Sequence, residues 1–156
     1  MNKFAMVSMA YLSIVTALPA YGQSIQVTPN ASTPTNIGVP ENFTGNATFA
    51  PLVPANDQTG ASTALVTFLP GARTVWHTHP AGQTLIVQTG KGWIQTEGEP
   101  RQDINPGDVV WIPAGVKHWH GASATVGMTH ISVTYTKDGK NVDWLEPVTD
   151  PQYVKG

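Results

Sequence analysis

Five turn signals cut the chain between Ala64 and Lys140: Pro70-Gly71, Gly90-Lys91-Gly92, Glu97-Gly98, Pro113-Ala114-Gly115 and Lys137-Asp138-Gly139-Lys140. The runs that they bound, Ala64–Leu69, Thr84–Thr89, Trp93–Thr96, Asp108–Ile112 and Met128–Thr136, are short and rich in β-branched and aromatic residues. Such runs suit half-buried strands and are too short for core helices. Beyond the N-terminal apolar segment, no stretch repeats apolar residues at spacings of three and four behind a capping signal. The expected fold is all-β, a sandwich or barrel with little helix. The C-terminal piece VDWLEPVTDPQY can add one helical turn or pack as an arm.

With 156 residues, 40% hydrophobic and 12% charged, the chain is one domain's worth with a real core. Residues 1–22 read as a signal peptide: Lys3, an apolar run from Phe4 to Leu18, then small Ala20 and Gly22. Ser8, Ser13 and Thr16 interrupt the run, which falls short of the roughly 20 apolar residues of a spanning helix. Export to a periplasm or medium is expected, with no membrane attachment after cleavage. Residues 23–42, rich in Pro, Thr, Asn and Ser, are expected as an extended polar arm, and 43–156 as the folded domain. A net charge of −2 with scattered Lys and Arg leaves no basic footprint for nucleic acid, so small molecules are the expected partners. There are no cysteines, so any metal must be held by imidazole, amide or carboxylate groups.

The chain's five histidines fall into two close pairs and a single. Alternate strand residues share a face, so His77 projects with His79, and His118 with His120. By the same parity Trp76 and Trp119 point the other way, as packing residues, and Trp111 also reads as packing or interface. Three or four imidazoles and Gln83 can then meet inside a small barrel, which is what a divalent ion needs. An N/O donor set suits Mn, Fe, Ni, Co or Zn. His130 begins the strand THISVTY with Ser132 and Thr134 on its face, while Ala64, Val66 and Phe68 share one face of an earlier strand. Arg73 and Lys117 can pair with carboxylates or remain solvated.

Written with their spacing, the clusters are Gly71-x5-His77-x-His79-x3-Gln83-x6-Gly90 and Gly107-x5-Pro113-x-Gly115-x2-His118-x3-Ala122. Both resemble the two motifs of the cupin superfamily, which implies a jelly-roll β-barrel, the two-motif double-stranded β-helix. The resemblance implies one divalent metal per chain, held by His77, His79, Gln83 and His118. Gly71, Gly90, Gly107 and Gly115 fall where strands must turn, positions that often need positive φ. Gln83 stands where most cupins have glutamate, and Ala122 where asparagine is usual. A neutral His3Gln shell leaves the cation its full charge, making it a stronger Lewis acid.

From Gly71 nearly to the C-terminus, GARTVWHTHPAGQTLIV, PGDVVWIPAGVKHWHG, MTHISV and GKNVDWLEPVTDPQY look like the small bacterial cupins that include the manganese-dependent hydroxynitrile lyases. That implies manganese as cofactor and a lyase that splits a cyanohydrin into a carbonyl compound and hydrogen cyanide. His120, sharing the face of His118, is the expected general base with a pKa near neutrality, and His130 its partner in the pocket. Ala64, Val66 and Thr134 are the expected substrate-pocket residues; Thr134 departs from the glutamine expected by resemblance. Other reactions open to such a site are those of an oxygenase or isomerase, and a cupin can also simply bind a small ligand. The resemblance also implies a homodimer, with a tetramer as the alternative, and FTGNATFAPLV adding a strand to a neighbour.

Overall fold

Each run between turn signals finds its partner far away in the chain, and the pairing is antiparallel throughout. The computed structural model describes residues 24–155; the expected signal peptide lies outside the described residues. In chain order the elements are β1 (Asn36–Ile37), β2 (Phe43–Thr44), β3 (Ala47–Val53), β4 (Ala61–Phe68), β5 (Arg73–Thr74), β6 (His77–Thr78) and β7 (Gln83–Gly90). They continue as β8 (Gly92–Thr96), β9 (Gln102–Ile104), β10 (Val109–Ile112), β11 (His118–Ala122), β12 (Met128–Tyr135), β13 (Asp143–Trp144) and α1 (Asp150–Lys155).

One sheet runs β1-β3-β4-β12-β7-β10; the other runs β13-β6-β11-β5-β2, with β8 on β11 and β9 on β8. The two curl over a shared interior as a jelly roll, with a short helix at the C-terminal end. Strand alternation decides what enters it. On β12, Met128, His130, Ser132 and Thr134 are buried, while Thr129, Ile131 and Val133 between them stay partly exposed. Phe68, Leu85, Val87 and Met128 form the apolar floor, almost fully buried. Side chains of this size contribute roughly 1.5–3 kcal/mol each by burial.

The four motif glycines all adopt positive φ, between 76° and 92°. Gly90, where β7 turns into β8, is the most constrained: φ is 82° and a Cβ would lie 1.8 Å from the Gly127 carbonyl oxygen. Both the backbone conformation and the close approach of a second chain segment demand glycine there.

The segment FTGNATFAPLV pairs inside the chain. Its first part is β2, held by β5; its remainder is β3, held on one side by β4 and at Thr48 and Phe49 by β1. A bulge beside Pro51 breaks the alternation of β3.

Outside the second sheet, Trp76 and Trp119 pack with Val148 and Tyr153, as their parity predicts. Arg73 ties this layer down and is not solvated. Its guanidinium donates to the Val148 carbonyl at 2.9 Å, pairs with Asp150 at 2.7 Å and lies over the Tyr153 ring. The Tyr153 hydroxyl donates to the Ala122 carbonyl at 2.9 Å. The C-terminal segment thus clasps the back of the strand that carries His118. Lys117 bridges Glu97 and Glu146 at the surface.

Candidate metal centre

Register brings the two histidine pairs together. His118 lies directly opposite His77 across β6 and β11, with ring centroids 4.1 Å apart. His79, just beyond β6, is 5.0 Å from His77 and 5.4 Å from His118. Gln83 opens β7 on the facing sheet, so the site is assembled from both layers. All four residues are buried.

The tautomers follow from the hydrogen bonds. Nδ1 of His77 contacts the Val75 carbonyl at 2.9 Å, Nδ1 of His79 the Asn141 carbonyl at 2.6 Å, and Nδ1 of His118 the Val116 carbonyl at 3.0 Å. A carbonyl only accepts, so in each ring Nδ1 carries the hydrogen and Nε2 keeps a bare lone pair. One ring atom from each of the three lies within 4.8 Å of the others. Nε2 of His79, Nε2 of His118 and Oε1 of Gln83 are buried with no hydrogen-bond partner. Burial is costly for lone pairs that meet nothing, and a cation answers all of them at once. Burial also holds His77 well below the ordinary imidazole value, and His118 down to about 4, so both are neutral ligands at neutral pH. The residues fit a divalent ion bound by nitrogen and oxygen.

Beside this cluster opens a cavity of about 250 Å³. His120 lines it, its ring 5.4 Å from His77 and 5.8 Å from His118, and His130 stands 5.1 Å from His120. Ala64, Val66 and Thr134 line it too, as parity predicts. Phe68 packs against both His120 and His130 at 5.9 Å. Among the described residues, no Asp, Glu, Lys or Arg borders the cavity. The expected near-neutral pKa of His120 is not what the structure gives. Burial, with the neighbouring imidazoles His130 and His77 adding to it, pushes it well below 6.5. The ring is therefore neutral and available as an acceptor, and it binds a proton only when something offsets the charge.

His130 is fully buried, with neither ring nitrogen hydrogen-bonded, and burial lowers its pKa to about 4. The unfolded chain protonates this residue near 6.5 and the folded one near 4, so between those values the unfolded state binds more protons. The contribution is complete above pH 6.5 and is lost as pH falls toward 4, amounting to about 3 kcal/mol at roughly 1.4 kcal/mol per unit. Chelator-treated protein should lose thermal stability across that window, and His130→Gln should lose measurably less; equal slopes would exclude His130 as a source.

Several pocket residues left no trace in the sequence pattern. Phe43 and Phe49 come from β2 and β3 at the start of the folded domain, and Trp144, 4.9 Å from His77, from the late β13. Asn141 acts through its backbone carbonyl, which any residue type would provide.

Comparison with known proteins agrees with this geometry. Residues 64–134 match the family model described as Cupin domain. The chain is 57% identical over 111 residues to a protein named (R)-mandelonitrile lyase from Granulicella tundricola, covering 71% of this chain and 85% of that one. A cupin-like protein of Thermotoga maritima superposes with a TM-score of 0.72 at 41% identity, over 75% of this chain and 89% of its own. A polyketide cyclase of Streptomyces resistomycificus, TM-score 0.66, covers 83% of this chain and 91% of its own at 15% identity, and so shares the fold alone.

Proposed function

The chain belongs to the cupin family, and from that premise we propose that it is a metal-dependent lyase of the hydroxynitrile type, working with manganese. The observation that carries the reading is the pocket itself. Three bare imidazole nitrogens and an amide oxygen converge beside two further imidazoles, in a cavity bordered by no charged side chain. The strong likeness to a protein named as a mandelonitrile lyase supports the same direction.

His77, His79, His118 and Gln83 would hold the ion, which when bound supplies positive charge for the negative charge that develops as the carbon–carbon bond breaks. The residues of the chain do the rest. His120 accepts the proton of the cyanohydrin hydroxyl, the bond to the nitrile carbon breaks to leave a carbonyl, and the same proton passes to the departing cyanide as hydrogen cyanide. His130 supports His120 across the pocket. Val66, Phe68 and Phe49 give the apolar wall that receives the carbonyl compound and keeps water out.

The test uses the purified protein, assayed for metal by elemental analysis and for cyanide release from mandelonitrile with and without added manganese. Metal-dependent release above the buffer rate supports the reading. Bound metal without release overturns the lyase assignment and directs the search to oxygen uptake or isomerisation.

We also propose that the protein pairs with a second copy of itself through the outer face of the six-stranded sheet. The register lines up Val109, Ile86, Ile131, Leu65 and Ala50 across five strands on that face, and none of them belongs to the interior cluster. The next row holds Trp111 and Val133, with Trp111 56% exposed. No charged residue lies among the outward positions of β4, β7, β10 and β12, so two copies meet without repulsion. Three strands of eight residues, one of seven and one of four span about 550 Å² in plan, against ~800 Å² per partner in a standard interface. Light scattering should give twice the chain mass for the natural protein and a folded monomer for Ile131→Lys; a natural monomer, or a variant that still pairs, would exclude this face.

A further inference from the structure

Gln83 poses a problem that a glutamate would not. A carboxylate offers oxygen whichever way it turns, whereas an amide offers either an oxygen or an NH2 group. Three imidazoles with bare Nε2 lone pairs surround this amide. Without a cation, those lone pairs attract the NH2 end, and an amide turned that way presents no donor atom to a metal.

In the structure the amide is turned the other way. Gln83 Nε2 donates to Thr134 Oγ1 at 2.9 Å, and Oε1 is left buried without a hydrogen-bond partner, with the amide within hydrogen-bonding range of the His79 ring. Thr134 sits directly opposite Gln83 across β7 and β12, is itself only 7% exposed, and no other hydrogen bond engages the amide. We propose that Thr134 is a positioning residue for the metal site: its hydroxyl oxygen captures the Gln83 NH2 group and so commits the amide oxygen to the cation. This rests on the metal reading above. It also gives the residue a role distinct from the pocket-wall role that its place on the strand suggests.

The physical consequence is a site prepared for a cation before it arrives. Removing the hydroxyl while keeping the volume, as in Thr134→Val, frees the amide to turn its NH2 toward His79. Metal must then turn it back, at the cost of that contact, and affinity falls. Thr134→Ser keeps the oxygen and loses only a methyl group, so it should restore most of the binding.

The experiment titrates manganese(II) and zinc(II) into chelator-treated natural protein, Thr134→Val and Thr134→Ser, following free manganese by electron paramagnetic resonance and zinc by calorimetry. Melting of the metal-free forms is measured alongside. The expected result is affinity roughly 10- to 100-fold weaker in Thr134→Val, the range for lost partners of metal ligands. Thr134→Ser should stay within about threefold of the natural protein, below that range. The metal-free Thr134→Val should melt no lower than the natural protein, because the amide exchanges Thr134 for His79, whose bare lone pair then receives a hydrogen; a merely structural threonine would lower melting and affinity together. Unchanged affinity in Thr134→Val, or equal losses in both variants, would overturn the proposal while leaving the metal reading intact. Failure of the natural protein to bind either ion would instead overturn the metal reading on which it rests.

Discussion

His118→Ala is expected to yield a folded protein that retains no divalent metal through gel filtration and releases no cyanide above the buffer rate. The substitution removes one of three imidazoles whose ring nitrogens converge, and His120, although it shares the strand face, has no ring atom in the converging set. A hydrogen-bond partner of a metal ligand is alone worth roughly 10- to 100-fold in affinity, so loss of a direct ligand should exceed about 100-fold. The fold should survive, because Trp119 and the clasp of Arg73, Asp150 and Tyr153 hold β11 from the other side. Thermal melting reads both effects at once. Manganese should raise the melting temperature of the natural protein, as any ligand of the native state does, and leave that of His118→Ala unmoved. A variant that still melts higher with manganese would show that the ion binds elsewhere.

His120→Ala should separate chemistry from metal binding. No ring atom of His120 belongs to the converging set, so metal content should match the natural protein. Turnover should fall by roughly 10²- to 10⁴-fold, the usual worth of a positioned general base. The measurement is kcat for cyanide release at saturating manganese, with metal content determined on the same sample. Unchanged kcat would remove His120 from the proton path and make His130, the other unpartnered imidazole of the cavity, the residue to replace next. Loss of metal together with turnover would place His120 among the ligands and leave the base unassigned.

Much of this was legible before any coordinates. The strands of the central sheet, β4, β7, β10 and β12, fall within a few residues of the runs bounded by turn signals, because those boundaries are set by local backbone chemistry. Side-chain parity correctly sent His130 and Thr134 inward and Trp76 and Trp119 outward, because alternation is a property of any extended chain. Pairs as short as β5, β6 and β13 were not legible, since a two-residue strand has no period to detect. The alternation of β3 is broken at Pro51, so the sequence shows no period that would name its partner β4.

The amino-acid sequence by itself determined the strand class, the turns, the inventory of donors and the pairs that share a face; all of these are decided within a few residues of chain. Only the tertiary structure decided that His77 meets His118, that Gln83 meets Thr134, and that the Val75, Asn141 and Val116 carbonyls fix three imidazole tautomers. It also decided that His120 lies too deep to titrate near neutrality. These are matters of register and burial between distant segments, and a partner across a sheet leaves no mark on the residues beside it in the chain.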